Sequence, residues 1–360
     1  MPTRRAILIA AGAAGALLAQ ETPAPIRLPR KVRLGIIGFD GHPAEVLGQL
    51  RRLPDMELVA YAADGTDPAT LASARRNAFV QKAKSYDDYA AMLAQESLDM
   101  VAVCNNDGRR AGAVLACAAK GLHVIAEKPL ALNRGDLAAV KKAFAKPGLR
   151  LSMLLPMRFD PVYLALKAIV ESGEIGEVAQ ITGQKSYQLG PRPEWQKQRA
   201  SYGSTVLWIG IHMIDLMRHC SGRELVEVAG YQQHVQFPEI GAMENVTGAV
   251  YKLDNGGVAT LHMDYLRPAT APAHGDDRLR LAGTKGIAEY MADLGVVLVN
   301  DKSKPHKVVD LPRQGSVFLD FVESVYLEKK QTLTLDAIYR VNEITIATHE
   351  ASQAHKFVSI

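Results

Sequence analysis

Hydrophobic and polar positions follow two rhythms along this chain, and the change falls between residues 155 and 158. Up to that point short, largely apolar runs recur: Val32 to Gly38, Glu57 to Ala63, Asp99 to Cys104, His123 to Ala126 and Leu149 to Leu155. They are too short for buried helices and read as parallel strands covered on both faces. Helical spacing separates them. It runs from Pro43, with Val46, Leu47, Leu50 and Leu53 on one face, then over Tyr86 to Gln95, opened by a capping box at Ser85-Tyr86-Asp87-Asp88. Two more helices are expected, Gly108 to Lys120 and one capped by Asn133 that runs through Phe144. Beyond Arg158 longer alternating runs take over, Glu177 to Gln188, Asn245 to Asp254, Val258 to Leu266 and Arg278 to Ala282, and these read as antiparallel strands. Asp254-Asn255-Gly256-Gly257 is a hairpin turn signal, because Asn-Gly tolerates positive φ. Helices over Phe318 to Glu328 and Leu335 to Ala354 end the chain. The pattern predicts an α/β protein, with a parallel-sheet domain over 31–155 and an α/β domain with a mainly antiparallel open sheet over 156–360.

Candidate chemistry gathers at the ends of the apolar runs. The first strand meets a glycine turn and a helix, which is the opening of a dinucleotide-binding fold. The loop reads Gly38-Phe39-Asp40-Gly41-His42-Pro43, with only the first glycine of G-x-G-x-x-G in place. Pro43 suits a first helical turn. Asp40 puts a carboxylate where a pyrophosphate would approach. Asp64 ends the second strand near the roughly 20-residue offset at which an acid takes the ribose hydroxyls. That favours NAD over NADP, the other reading being an Asx turn beside Gly65. Val124 to Ala126 ends in Glu127-Lys128-Pro129, where a buried strand delivers charge to a sheet edge. In open α/β sheets that edge is where ligands bind, so Lys128 is either a substrate group or an ordinary surface lysine. If Trp208-Ile209-Gly210-Ile211-His212-Met213-Ile214-Asp215 is helical, Trp208, His212 and Asp215 share one face. Read alone, His212 is a satisfied core histidine or a titrating group, and Trp208 a structural ring or a stacking surface for a sugar.

Composition excludes more than it selects. At 48% hydrophobic and 22% charged the chain is an ordinary globular protein. Its net charge of +4 is spread without a basic block, so nucleic acid is not implied. The three cysteines, Cys104, Cys117 and Cys220, have no C-x-x-C spacing and suggest neither a metal site nor a disulfide framework. Residues 1–30 differ in kind. Thr3-Arg4-Arg5 precedes an uncharged small-residue run from Ala6 to Ala19 and a Pro-rich stretch, which looks like a twin-arginine export signal with linker, cleaved after Ala19. The run is too short to span as a stable helix, so no membrane anchor is expected after processing, and the expected location is the periplasm.

Taken in order, Gly35-Ile36-Ile37-Gly38, Asp64, Glu127-Lys128-Pro129, Arg158-Phe159-Asp160-Pro161, Gly173-Glu174-Ile175-Gly176-Glu177, Gly210-Ile211-His212-Met213-Ile214-Asp215, Ala282-Gly283-Thr284-Lys285-Gly286 and Phe318-Leu319-Asp320-Phe321 resemble the glucose-fructose oxidoreductase / inositol dehydrogenase family (Gfo/Idh/MocA) over residues 32–360. The resemblance implies a Rossmann domain binding NAD, a second α/β domain whose open sheet serves for homo-oligomerisation, and a carbohydrate substrate between them. It implies that Lys128 contacts the reacting hydroxyl and that His212 moves its proton, with Asp215 beside it. Gly38, Phe39, Asp40, Gly41, His42, Asp64, Asn105, Glu127 and Lys128 are then the cofactor residues, and Arg158, Tyr202 and Trp208 the substrate candidates. Three departures stand out. They are Asp40 in the loop, Asn106-Asp107-Gly108-Arg109-Arg110 in place of Pro-Asn-x-x-His, and Trp208 where an aspartate commonly precedes the histidine by four residues. The expected activity is hydride transfer from a sugar or polyol. The alternatives are glycoside hydrolysis by transient oxidation with a retained NAD, and a non-catalytic sugar-binding protein.

Overall fold

A computed structural model describes residues 24–360, so the export signal expected at Thr3-Arg4-Arg5 and the expected cleavage site lie outside the described residues. Six strands form the first sheet: β1 Val32–Ile37, β2 Met56–Ala62, β3 Lys84–Tyr86, β4 Met100–Val103, β5 His123–Ala126 and β6 Leu151–Met153. Their order is β3-β2-β1-β4-β5-β6 and all pairs are parallel. Strand order reverses between β1 and β4, so the carboxyl ends of these two strands open a crevice. Val101, Ala102, Val103, Val124, Ile125 and Ala126 have no exposure, as strands covered on both faces require.

Nine strands form the second sheet: β7 Val178–Gln188, β8 Leu225–Gln233, β9 Val246–Leu253, β10 Val258–Arg267, β11 Gly275–Gly283, β12 Gly286–Met291, β13 Gly295–Asn300, β14 Ser303–Lys307 and β15 Val358–Ser359. They run in the order β14-β13-β12-β11-β7-β10-β9-β8-β15. Seven of these pairings are antiparallel and one, β7 with β10, is parallel, in line with the mainly antiparallel sheet expected. Alternation reports that one face is covered, not which way a neighbour runs. The hairpin at Asn255-Gly256 joins β9 to β10 as expected, with Gly256 alone taking a positive φ, of 84°.

Other boundaries moved for local reasons. Ser85 and Tyr86 belong to β3 and cap nothing. Asp88 is the true N-cap of the helix Tyr89–Gln95, its Oδ1 accepting from the Ala91 amide at 2.8 Å. The helix after the glycine loop is one turn, Ala44–Leu47, followed by a 3-10 turn over Leu50–Arg52. Val46, Leu47, Leu50 and Leu53 nevertheless all reach the core. A helix at Pro161–Glu171 and strands β8 and β12 to β14 lay outside the sequence reading.

The helix Ile211–Ser221 lies on the inner face of the second sheet. A Cβ on Gly183 would come within 2.7 Å of Met213 Cγ, so glycine allows that close approach. The last long helix, Leu335–Ala354, returns to the first domain. Buried Asn342 accepts the Leu130 N–H at 2.9 Å through Oδ1, directly beyond Glu127-Lys128-Pro129, and Arg134 pairs with Glu350 at 2.8 Å. Both domains are thus braced at the strand end that carries Lys128.

Candidate active site

Glu127 is the hub. Its carboxylate is fully buried, accepts the His42 N–H at 2.6 Å and the Lys128 N–H at 2.7 Å, and also contacts His42 Nδ1. Gly41, at φ 76°, packs on it so closely that a Cβ would sit 2.4 Å from Glu127 Cδ. Burial pushes the carboxyl up, but the charge and hydrogen bond of His42 with the charges of Lys128 and Arg110 overcome this and bring it to about 2. Fully buried Arg110 closes the adjoining loops, donating to Asp107 at 2.7 Å, to the Lys128 and Pro129 carbonyls at 2.9 Å each, and to the Asn105 carbonyl.

Lys128 is almost fully buried. Its Nζ donates to the Trp208 carbonyl at 2.6 Å and lies 3.4 Å from the centre of the Trp208 ring. Where the family pattern has a carboxylate, this chain meets the ammonium with an aromatic face. Burial lowers Lys128 to about 8, against the pull of Glu127 and Asp107. His212 is buried, edge-on to the His42 ring at 5.2 Å between ring centres, and its Nδ1 has no hydrogen-bond partner among the described residues. Burial, then the charges of Lys128, His42 and Lys185, hold it well below the usual imidazole range, so at neutral pH it is uncharged.

Asp215 does not orient His212, and this corrects the expectation for both Asp215 and Arg158. Arg158 Nε and Nη2 each donate to one Asp215 oxygen at 2.6 Å, so the two candidates consume each other in a buried bidentate pair. The expected helical register fails for a local reason as well. Val206–Gly210 is a π-helical turn, so Trp208 does not stand a regular α-helical turn from His212. Tyr202 is buried, its ring centre 6.2 Å from Trp208 and its hydroxyl engaged by Thr205 at 3.0 Å and Tyr265 at 3.5 Å. It supports the aromatic wall and offers no free polar atom to a substrate.

The glycine loop turns at Gly38 with φ 72°, and a Cβ there would meet Asn105 Cα at 2.6 Å. Four of its amides are used internally: Gly38 on the Ala62 carbonyl, Phe39 on Thr66, Asp40 on the Cys104 carbonyl and His42 on Glu127. The Gly41 N–H has no internal acceptor among the described residues and remains for a phosphate. Asp40 is buried, with Oδ2 unpartnered, and burial pushes it up to about 7 against the charge of Arg110. A carboxyl with that value is protonated in part at neutral pH, and in that form it would not repel a phosphate. Asp64 forms no Asx turn. Its oxygens accept from Asn105 Nδ2 at 2.7 Å and Arg109 Nη2 at 2.5 Å, and the carboxylate is fully buried beneath these two donors. The site fits NAD, which the Gly41 amide, Asp40, Asp64 and Asn105 would hold.

Sequence reasoning missed Arg109, Lys185, Arg192, Trp195 and Tyr265. Lys185 had a signal: it falls on the inward register of β7 with Ile181 and Gly183, where an apolar residue belongs. It pairs with Asp277 at 2.8 Å. Arg192 and Trp195 lie in a segment without periodicity and gave none.

Family models match both domains. Residues 32–155 fit the oxidoreductase family with an NAD-binding Rossmann fold, and residues 163–289 fit the GFO/IDH/MocA C-terminal domain. The chain belongs to the GFO/IDH/MocA oxidoreductases, and its cofactor is NAD. It is similar to myo-inositol 2-dehydrogenase of Thermotoga maritima, 28% identical over 305 residues, covering 84% of this chain and 86% of the relative. Inositol 2-dehydrogenase of Salmonella typhimurium is 28% identical over 229 residues, 60% of this chain and 63% of that protein. Among solved structures an oxidoreductase from Thermotoga maritima superposes with a TM-score of 0.86 at 28% identity, covering 91% of this chain and all 100% of that one.

If Asp40 must be protonated to admit the pyrophosphate, NAD affinity falls as pH rises through about 7. Over two pH units centred there the expected loss is about tenfold. Fluorescence titration of NAD at pH 6 and pH 8 measures it, and Asp40→Asn should hold the pH 6 affinity at both. A flat wild-type profile, or tighter binding at pH 8, refutes the assignment.

Proposed function

We propose that this protein oxidises a secondary hydroxyl of a sugar or polyol, with Lys128 and His212 as its catalytic residues. The observation that supports it most is a neutral, unpartnered imidazole and a buried ammonium without a carboxylate partner, both at the carboxyl edge of a dinucleotide-binding sheet. Bound NAD supplies the hydride acceptor. As the carbinol C–H bond breaks and its electron pair leaves as hydride, the hydroxyl proton passes to His212 and a carbonyl forms. Lys128 stabilises the oxyanion that develops on that oxygen. Trp208 holds the ammonium in place without neutralising it. Similarity to two inositol dehydrogenases supports a cyclic polyol or sugar as the substrate class.

Lys128→Ala and His212→Ala should each cost ~10²- to 10⁴-fold in turnover with melting temperature preserved. The pH profile of kcat/KM carries a sharper test. An ammonium with a value of about 8 is lost above that pH, so activity falls there, while His212, held low, is already neutral well below pH 7. Lys128→Arg, which cannot deprotonate, should move the descending limb out of range. Full activity in folded His212→Ala would end the claim for His212.

Residues 1–30 serve, in this proposal, as a twin-arginine signal that delivers the folded, cofactor-loaded protein to the periplasm. Its support is Thr3-Arg4-Arg5 before the uncharged run. Replacing Arg4 and Arg5 by Lys should leave unprocessed protein in the cytoplasm, and normal periplasmic appearance of that variant refutes the route.

A homo-oligomer formed through the second sheet is supported by exposed Tyr231, Val250, Val258 and Leu266 on β8, β9 and β10. Sedimentation of the loaded protein as a monomer would refute it.

A further inference from the structure

Arg192 follows β7 and lies beside the cleft, its guanidinium carbon 4.3 Å from the centre of the Tyr265 ring. Nη1 reaches Gln196 Oε1 at 3.4 Å. Nε and Nη2 are buried and have no hydrogen-bond partner among the described residues. A buried charged donor left unpaired is costly, so such a group calls for an explanation beyond packing.

The identity of the two nitrogens supplies one. Nε and Nη2 form the side-on edge with which a guanidinium grips both oxygens of one carboxylate. This chain uses that edge repeatedly: Arg158 on Asp215 at 2.6 Å twice, and Arg278 on Asp276 at 3.0 and 2.8 Å. Arg192 presents the same edge, and no carboxylate lies within ion-pair distance among the described residues.

Its neighbourhood connects to the catalytic groups. Tyr265 meets Tyr202 at 3.5 Å between hydroxyls, and Tyr202 packs on Trp208, which carries Lys128. On the sheet beside Tyr265 stand Tyr187 and Lys185, and the carboxylate nearest them, Asp277, is already held by Lys185. Among the described residues, two cations here lack an acidic partner, Lys128 at the reacting end and Arg192 at the other, with the rings of Trp208, Tyr202 and Tyr265 packed between them.

We propose that the substrate is an acidic sugar, a uronate or aldonate, whose carboxylate is bound side-on by Arg192 while a ring or chain hydroxyl is presented to Lys128 and His212. This rests on the polyol oxidation reading for the reacting end, whereas the acid preference itself is a binding property and is measured without turnover.

The experiment is calorimetric titration of the NAD-free and NAD-loaded protein with D-glucuronate, D-galacturonate and D-gluconate, against D-glucose, D-galactose and myo-inositol, with D-glucose 6-phosphate as a separate anion. One charge-assisted bidentate contact should favour the acids about tenfold to a hundredfold over their neutral counterparts. Arg192→Gln should abolish that preference and leave neutral-sugar affinity unchanged, and Arg192→Lys should keep only part of it. Without ligand Arg192→Gln should melt no lower than wild type, because it removes an unpaired buried charge. Neutral sugars binding as tightly as the acids, the phosphate ester preferred over the carboxylates, or acid preference surviving in Arg192→Gln would each overturn the proposal. A drop in melting temperature of that variant would do the same, by showing Arg192 to be a packing group. Acid binding without NADH formation would instead retire the redox reading while leaving the carboxylate site in place.

Discussion

The site depends on one buried carboxylate. Glu127 follows three strand residues that have no contact with water, and there it fixes the glycine loop through His42 and Gly41 and the start of the next segment through the Lys128 amide. An isolated carboxylate there would take up a proton, so the surrounding charges must keep it ionised, and they do. A carboxyl held at about 2 contributes stability above its ordinary value that is lost as pH falls toward 2, so its grip is complete at neutral pH. Taking away such a partner typically costs 3–5 kcal/mol or so, because the charges that faced it are left unpaired. Glu127 thus ties the glycine loop to the backbone of Lys128.

What lies beyond Glu127 follows from a second substitution of one force for another. Trp208 stands where an acid would have paired with Lys128 or steered His212. An acid would have raised both groups; an aromatic face attracts the ammonium without supplying a charge. Lys128 accordingly falls to about 8 and His212 stays neutral. The pair thus combines an unprotonated imidazole with a cation that is still present. Asp40 shows the same logic in reverse, since burial turns a group that would repel phosphate into one that, in its protonated form, would not.

Five of the six strands of the first sheet were legible because short, largely apolar runs leave few alternatives, and His123–Ala126 was read to the residue. Lys128 and Glu127 were legible for the same reason, as charges at the end of such a run. The parallel β7–β10 pair was not, because strand direction is set by the chain that intervenes and leaves no mark on alternation. The true cap at Asp88 was displaced from Ser85 by edge pairing with β2, a tertiary contact that local propensity cannot anticipate. Arg192 escaped because a lone arginine between two prolines has no pattern, and its unpaired edge exists only once Tyr265 has packed against it.

The Arg158–Asp215 pair shows why a correct list of polar residues still misassigns roles. Both side chains are buried, and both were marked by motifs. A guanidinium and a carboxylate that share a dry site satisfy each other before either can serve a ligand. Their bond ties the turn Pro156–Phe159, which follows β6, to the helix Ile211–Ser221 that carries His212. It fixes that helix to the segment that directly follows the last strand of the first sheet. The same chemistry at Arg192 lacks its carboxylate, and the difference between the two arginines separates a residue that builds the cleft from one that reads what enters it.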